Sequence, residues 1–252
     1  MKIILSPAKT MNFKGKTLQV HATEPVFQKE ATLLADLMKS YTADELKLIL
    51  NVSPALAAKT YLQYQQFDTP QSPRRESIFT FCGLVFNAFM GEEGPDVKML
   101  RYAQDHLRIL SGLYGVLRPF DLIQPYRLDV ANKIDTPEGD NLYKFWTPKV
   151  TTDLLSEGLG KALINLASDE YSRMVDFSVI EEEAPVITVA FKEKRGDKFR
   201  VITTDTKKAR GQMARYIIEN RLTEPEQLKE YQVDDYAFYP DLSSEKEWVF
   251  VR

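Results

Sequence analysis

Apolar positions along the chain fall into three patterns. The first is a short unbroken run, the mark of a buried strand. Lys2-Ile3-Ile4-Leu5 is one such run, stopped by Ser6-Pro7, and Ala162–Ala167 is another, carrying a single Asn165. A buried asparagine there requires hydrogen-bond partners. Each run opens into a polar cluster: Ser6-Pro7-Ala8-Lys9 after the first, Ser168-Asp169-Glu170-Tyr171 after the second. Open α/β sheets hold ligands beyond the carboxyl ends of their strands. Two such ends lying side by side predict one site.

The second pattern has the helical period. Phe27, Leu33, Leu34, Leu37 and Met38 repeat on one face after Glu24-Pro25. Thr42 and Glu45 form a capping box for a helix over Leu46–Leu50. Ser53-Pro54 starts a third, with proline in the first turn, that contains Leu56, Thr60 and Leu62–Tyr64. Asp96 caps a helix over Val97–Leu110, with Leu100, Leu107 and Leu110 inward. Asn141–Trp146 begins a helix that ends or kinks near Pro148, and Asp153–Gly160 reads as a short amphipathic helix. Thr206–Arg221 is the clearest helix, capped by Asp205 or Thr206. Ala209, Met213, Tyr216 and Ile217 share its apolar side. Lys207, Lys208, Gly211 and Arg215 lie opposite, flanked by Arg210 and Ala214. Gly211 costs a helix interior about 1 kcal/mol against alanine, so either a phosphate-bearing ligand or another segment approaches the backbone there, or the glycine is simply tolerated on a solvated basic face. A short helix capped by Thr223 spans Leu222–Tyr231.

The third pattern is aromatic or alternating. Ser77–Cys82 reads as a strand ended by Gly83, and Phe177-Ser178 as the lead into another. Pro185–Lys192 and Lys198–Thr203 form a hairpin about Arg195-Gly196-Asp197. The terminal Trp-Val-Phe-Val is expected to join the sheet, bringing both chain ends into one domain spanning 1–252. Phe13–His21 is extended or looped. Phe67–Glu76 is a surface loop, with a mobile lid as the alternative. Antiparallel pieces beside central strands predict a mixed α/β (α+β) fold with a mixed central sheet, and argue against a purely doubly wound sheet.

One stretch fits none of these patterns. Arg108–Val130 mixes nine aliphatics with two glycines, two prolines, two tyrosines and three arginines. It reads as a rigid irregular segment, buried on one side and offering Arg118, Tyr126 and Arg127 on the other. The plainer reading is a packed loop whose arginines cap helices or pair with acids.

Composition narrows the chemistry. The chain has 252 residues, 33 basic and 36 acidic side chains and a net charge of -3. There is no global attraction to nucleic acid or anionic membrane, so any polyanion site must be a local basic cleft. A single cysteine, Cys82, fits a reducing compartment and reads as an inert core residue. With His21 and His106 the only histidines, a zinc site of Cys and His is disfavoured, and no metal is predicted. The apolar run at the start is too short for a signal peptide or membrane span, so the expected location is the cytosol. Dinucleotide fingerprint, phosphate loop, nucleophile elbow and zincin motif are all missing from the sequence, and no cofactor is predicted. The Glu181–Glu183 run reads as a solvated face.

The segments ILSPAKTM, SGLYGVLRPFDLIQPYRLDV, NLASDEY and KKARGQMARYI, in this order, resemble the YaaA family of peroxide stress resistance proteins. The resemblance covers essentially the whole chain. It implies a compact fold described as cantaloupe-like, with a helix-hairpin-helix-like element, in a cytosolic protein that limits iron-linked damage under hydrogen peroxide. It also implies a positively charged cleft for duplex or structurally irregular DNA. Matching motif positions are Ser6, Pro7, Lys9, Gly112, Tyr114, Gly115, Arg118, Pro119, Tyr126, Arg127, Asn165, Ser168, Glu170, Tyr171, Lys208, Arg210, Gly211 and Arg215. The hairpin candidate is Gly112–Gly115, whose backbone amides would meet phosphates. The chain departs from the family pattern at Leu84, where an acid is common, at Phe86 in place of tyrosine, and at Asp129 in place of glutamate.

Two functions follow. In the first, Lys9, Arg118, Arg127, Lys208, Arg210 and Arg215 contact DNA phosphates, with Gly112, Gly115, Tyr126 and Gly211 shaping the surface. In the second, an enzyme acts on a phosphorylated or nucleotide-like anionic small molecule, with Lys9, Glu170 and Tyr171 as catalytic candidates and Ser6 or Tyr171 as a hydroxyl partner. Direct iron chelation would draw on oxygen ligands alone, Asp169, Glu170 and the Glu181 cluster.

Overall fold

The first apolar run forms a strand whose four residues are all buried, β1 (Lys2–Leu5). A computed structural model describes residues 1–15 and 18–252. After β1 the chain turns into β2 (Thr10–Met11). The described part of Phe13–His21 holds no helix or strand, and Lys16 and Thr17 lie outside the described residues. Three helices follow: α1 (Gln28–Ser40), α2 (Ala43–Ile49) and α3 (Pro54–Gln65). The Thr42–Glu45 capping box closes in both directions, and Ser53 caps α3 ahead of Pro54. The Phe67–Glu76 loop is stitched down by Asp68, which accepts from Gln124 Nε2 at 2.7 Å and from Arg74 at 3.0 Å.

β3 (Arg75–Glu76), α4 (Ser77–Thr80), β4 (Phe81–Cys82) and α5 (Leu84–Met90) come next. The strand expected over Ser77–Cys82 is therefore mostly a helical turn. Ser77 N donates to the Asp121 carbonyl and Ile78 N to that of Pro119, while Thr80 Oγ1 folds back on Glu76 O. Only Phe81-Cys82 stays extended, paired with β2. The helix expected over Val97–Leu110 stops as α6 (Val97–His106), because Leu107 onward is recruited into the sheet as β5 (Leu107–Ser111). β6 (Gly115–Leu117) returns antiparallel to β5, and β7 (Leu122–Ile123) pairs with β3.

The helix begun at Asn141 does not end at Pro148. It runs on as α7 (Leu142–Ser156), absorbing the short helix expected from Asp153. Lys149 Nζ donates to the Phe145 carbonyl in the proline's turn. Then come β8 (Leu163–Asn165), α8 (Asp169–Ser172) and α9 (Phe177–Ile180). α9 replaces an expected extended segment because Asp176 caps it, accepting from Ser178 N and Val179 N. β9 (Val186–Arg195) and β10 (Lys198–Arg200) form the expected hairpin. α10 (Thr203–Glu219) starts earlier than expected and has no side-chain cap. Leu222–Tyr231 winds as a 3-10 turn over Pro225–Glu230, with Glu224 and Gln227 forming its box in place of Thr223. β11 (Ala237–Phe238) and β12 (Glu247–Val251) close the chain.

The fold is mixed α/β. Its main sheet has eight strands in the order β11-β12-β9-β8-β1-β5-β6, with β10 also on β9. The five central strands from β12 to β5 are parallel, and β6, β10 and β11 are antiparallel additions. From β1 the chain moves one way to β5; from β8 it moves the other way to β9 and β12. The strand order thus reverses between β1 and β8, and a crevice opens at such a switch point beyond the carboxyl ends. Asn165 is satisfied there: its amide donates to Thr188 Oγ1 at 3.1 Å and its carbonyl accepts from Ala167 N at 3.0 Å. Among the described residues no helix is long and apolar enough to cross a membrane.

Candidate functional site

The two polar clusters meet beyond β1 and β8, as the strand-end argument requires. Ser6 Oγ accepts from Ser168 N at 2.9 Å and donates to Ser168 Oγ at 3.1 Å, tying the loops across the switch point. Above this tie lies a chamber of about 620 Å³. Pro7, Ala8, Leu84, Val85 and Leu166 give it apolar walls, and Asp129, Glu170 and Tyr171 bring polar groups. Lys207 and Arg210 enter from α10.

Asp129 organises the polar side. Lys9 Nζ lies 2.8 Å from its Oδ2, and Tyr171 OH donates to its Oδ1 at 3.2 Å. Burial raises the Tyr171 hydroxyl well above the usual phenol range, and the Asp129 charge adds to the effect. Tyr171 is thus a hydrogen donor at neutral pH rather than a phenolate base. Burial also raises the Glu170 carboxyl, with the Asp129 charge acting in the same sense and Lys9 against it. Arg210 is half-buried; its Nε is screened from solvent and has no hydrogen-bond partner among the described residues. Burial lowers its pKa while Asp169 opposes that shift, yet an arginine keeps its charge at neutral pH.

Two further cavities, of about 430 and 350 Å³, join the chamber at Lys9. The first shares Asp129 and Glu170 with the chamber and adds Arg127 and Lys133; the second shares Arg127 with it and adds Lys59. Lys9 lines all three cavities, which adjoin there as a groove beyond the carboxyl end of β1. Lys59, Lys133 and Lys207 are exposed, and with Arg127 they enter no ion pair among the described residues. Sequence reasoning missed Lys59, Lys133 and Lys207 as site residues and treated Asp129 only as a departure. A local signal existed for Asp129 alone, an acid two residues from Arg127 in a motif already singled out.

Other expected contacts lie elsewhere. Gly112–Gly115 is a turn between two strands, not between helices, and all four residues are buried. A Cβ on Gly112 would strike the Leu128 carbonyl, and one on Gly115, at φ +68°, would sit 2.6 Å from the Trp146 ring. These glycines serve packing, and their amides do not face solvent phosphates. Tyr126 is buried, with its hydroxyl 2.8 Å from Ser111 Oγ, and forms only a wall of the third cavity. Arg118 locks its own turn through buried Asp121 at 3.0 Å. Lys208 pairs with Asp234 at 2.6 Å. Arg215 donates to the Phe89 and Met90 carbonyls at the end of α5 and pairs with Glu219. Gly211 is the place where α10 meets α5: a Cβ there would strike the Val85 carbonyl. Of the two approaches expected at Gly211, the one present is another segment. Cys82, expected in the core, is half-buried on the chamber wall. Leu84 is another wall residue, and Phe86 is buried against Phe81 with ring centroids 5.2 Å apart. Among the described residues no group of three or more His, Cys, Asp or Glu side chains is placed to hold a metal ion.

Fold and site together define a mixed α/β protein with a basic groove running from a switch-point chamber. A family profile described as "Peroxide stress protein YaaA" matches residues 1–242. A "UPF0246 protein" of Caulobacter vibrioides is 41% identical over 255 residues, covering 100% of this chain and 99% of the relative. Those of Crocosphaera subtropica and Francisella philomiragia are 41% and 39% identical, each covering 100% of both chains. The chain belongs to the YaaA family of peroxide stress proteins, the UPF0246 proteins.

Proposed function

We propose that the protein serves the peroxide stress response by binding DNA along this groove. The observation that carries the reading is the row of cations from Lys59 through Arg127, Lys133 and Lys9 to Lys207 and Arg210, most of them without a carboxylate partner. Cations left unpaired along a channel attract a polyanion, even where net charge is -3. A ligand spanning three joined cavities is longer than a metabolite, which favours nucleic acid. Lysines and arginines on phosphates release the cations condensed there. Ferrous iron condensed on DNA would be displaced in the same way, which would link occupancy of DNA to less iron-dependent damage.

The test is fluorescence anisotropy on labelled duplex, mismatched, nicked and single-stranded DNA across a salt series. A Lys59→Gln/Lys133→Gln/Lys207→Gln variant is expected to bind more weakly, with the salt slope reduced by about 2 to 3, near 0.9 for each phosphate contact removed. An unchanged slope in a folded variant would overturn the reading. A second reading, an enzyme acting on a phosphorylated or nucleotide-like small molecule, draws support from the Lys9–Asp129–Tyr171 arrangement beside Glu170. Carboxyl groups repel phosphate, so these two answer to some other part of a ligand.

A further inference from the structure

The chamber differs from the rest of the groove. The two adjoining cavities mix apolar side chains such as Leu48, Phe13 and Leu56 with the cations Lys59, Arg127 and Lys133, and are more polar overall. In the chamber, Pro7, Leu84, Val85 and Leu166 form apolar walls, and the carboxyl groups of Asp129, Asp169 and Glu170 and a tyrosine hydroxyl sit beside them. A phosphate–sugar backbone has no use for apolar walls. A flat heteroaromatic base does, and its ring N–H and amino groups are donors that carboxylates accept. The chamber's 620 Å³ falls within the range of small-molecule pockets and is ample for one nucleotide. Arg210, whose screened Nε has no partner among the described residues, and Lys207 beside it supply charge for that nucleotide's phosphate.

We infer that the chamber takes a single unstacked nucleotide, its base between the apolar walls and the Asp129–Glu170 side, its phosphate on Arg210 and Lys207. This rests on the groove reading when the nucleotide belongs to a strand; a free nucleoside monophosphate has the same chemistry. Extruding a base costs least where it is mispaired, so irregular duplex is the preferred strand. Ser6 and Ser168, bonded to each other, hold the two loops that form the chamber's rim and are positioning residues.

The experiment uses the full chain with duplexes carrying 2-aminopurine at a paired or mispaired position, reading anisotropy and 2-aminopurine emission together. In parallel, calorimetry measures binding of the four free nucleoside monophosphates. Leu84→Trp fills the chamber from its exposed wall, and Glu170→Gln removes a carboxylate without changing shape. Expected is roughly tenfold tighter binding to the mispaired duplex than to the paired one, with emission rising on binding. Leu84→Trp should abolish both effects while leaving paired-duplex anisotropy within a factor of about two. If no DNA binds, the groove reading fails. The chamber assignment then stands if a free monophosphate binds and Leu84→Trp or Glu170→Gln weakens it. Bound DNA with quenched emission and no monophosphate binding overturns the chamber assignment and leaves the groove intact. Monophosphate binding indifferent to both variants overturns it equally.

Discussion

The two ends of the central parallel strands treat charge in opposite ways. At the amino end, Arg108 and Lys2 are buried and both reach Glu157: Arg108 Nε at 2.6 Å and Lys2 Nζ at 3.2 Å. They also donate to main-chain carbonyls, Arg108 to those of Gln104 and Leu107 and Lys2 to that of Asp105. At the carboxyl end, Lys9 is mostly exposed above its one carboxylate, and Lys59, Lys133 and Lys207 have no partner among the described residues. Charge that is closed on itself holds the fold. Charge left open is available to a ligand.

The sharpest way to break this comparison is Glu157→Ala. It strands two buried cations at once, and removing one partner of a buried ion pair costs about 3 to 5 kcal/mol. A chemical denaturation midpoint close to that of the parent chain would show that the amino end is not closed as described. The same substitution is expected to leave the salt slope of DNA binding unaltered.

Gly211→Ala comes next and separates two readings of the basic helix. If the glycine were a tolerated residue on a solvated face, alanine would stabilise α10 by about 1 kcal/mol through helix propensity. The Val85 carbonyl of α5 occupies the space the new methyl needs. The expected outcome is therefore a loss of about 1 to 3 kcal/mol, the usual range for overpacking. A rise in melting temperature would restore the solvated-face reading.

These two cases show what the linear chain discloses. The switch-point loops were legible because a continuous apolar run followed by a polar cluster marks a buried strand and its exposed end, and both marks are local. The role of Gly211 was half legible: its cost demanded a close neighbour, but which neighbour depended on how α5 and α10 pack. The buried turn Gly112–Gly115 was misread as open because its covers, Leu128 and Trp146, come from later in the chain. Lys59 and Lys133 were invisible as site residues for the same reason. They sit on α3 and in the loop after Val130, and only the fold draws them to Lys9. Ser77–Thr80 went wrong through propensity: its aromatic and β-branched residues favour a strand, and hydrogen bonds to 118–121 override them.

A third substitution sharpens the carboxyl end. Lys9→Gln removes the cation where the three cavities meet and leaves Asp129 with Tyr171 alone. An exposed pair contributes at most about 1 kcal/mol to stability, so the melting temperature should barely move. DNA binding should weaken by more than one phosphate contact accounts for, because the Asp129 charge is no longer offset. Equal weakening in Lys9→Gln and Lys133→Gln would mean that Asp129 has no influence on the bound anion.

The smallest expected effect is a pH dependence seated on Glu170. Its carboxyl is raised by burial first and by the Asp129 charge second, with Lys9 opposing. The folded chain therefore holds that proton more tightly than the unfolded one. Its contribution to stability is full below the usual carboxylate range and is lost as pH rises through the raised value. The same ionisation puts a negative charge beside the expected phosphate. Lowering the pH from about 7.5 to about 5 should tighten binding of fully paired duplex, which places no base in the chamber, as Glu170 takes up its proton and its charge beside the groove phosphates falls. Asp169 also faces Arg210, and its charge favours the arginine's protonated form. Glu170→Gln supplies the control: already neutral, it should bind paired duplex more tightly than the parent at about pH 7.5, with a flatter profile as pH falls. A parent profile as flat as the variant's would mean that Glu170 is neutral throughout the range or lies outside the field of the bound phosphate. The open charge at this end of the sheet would then be set by the lysines and arginines alone.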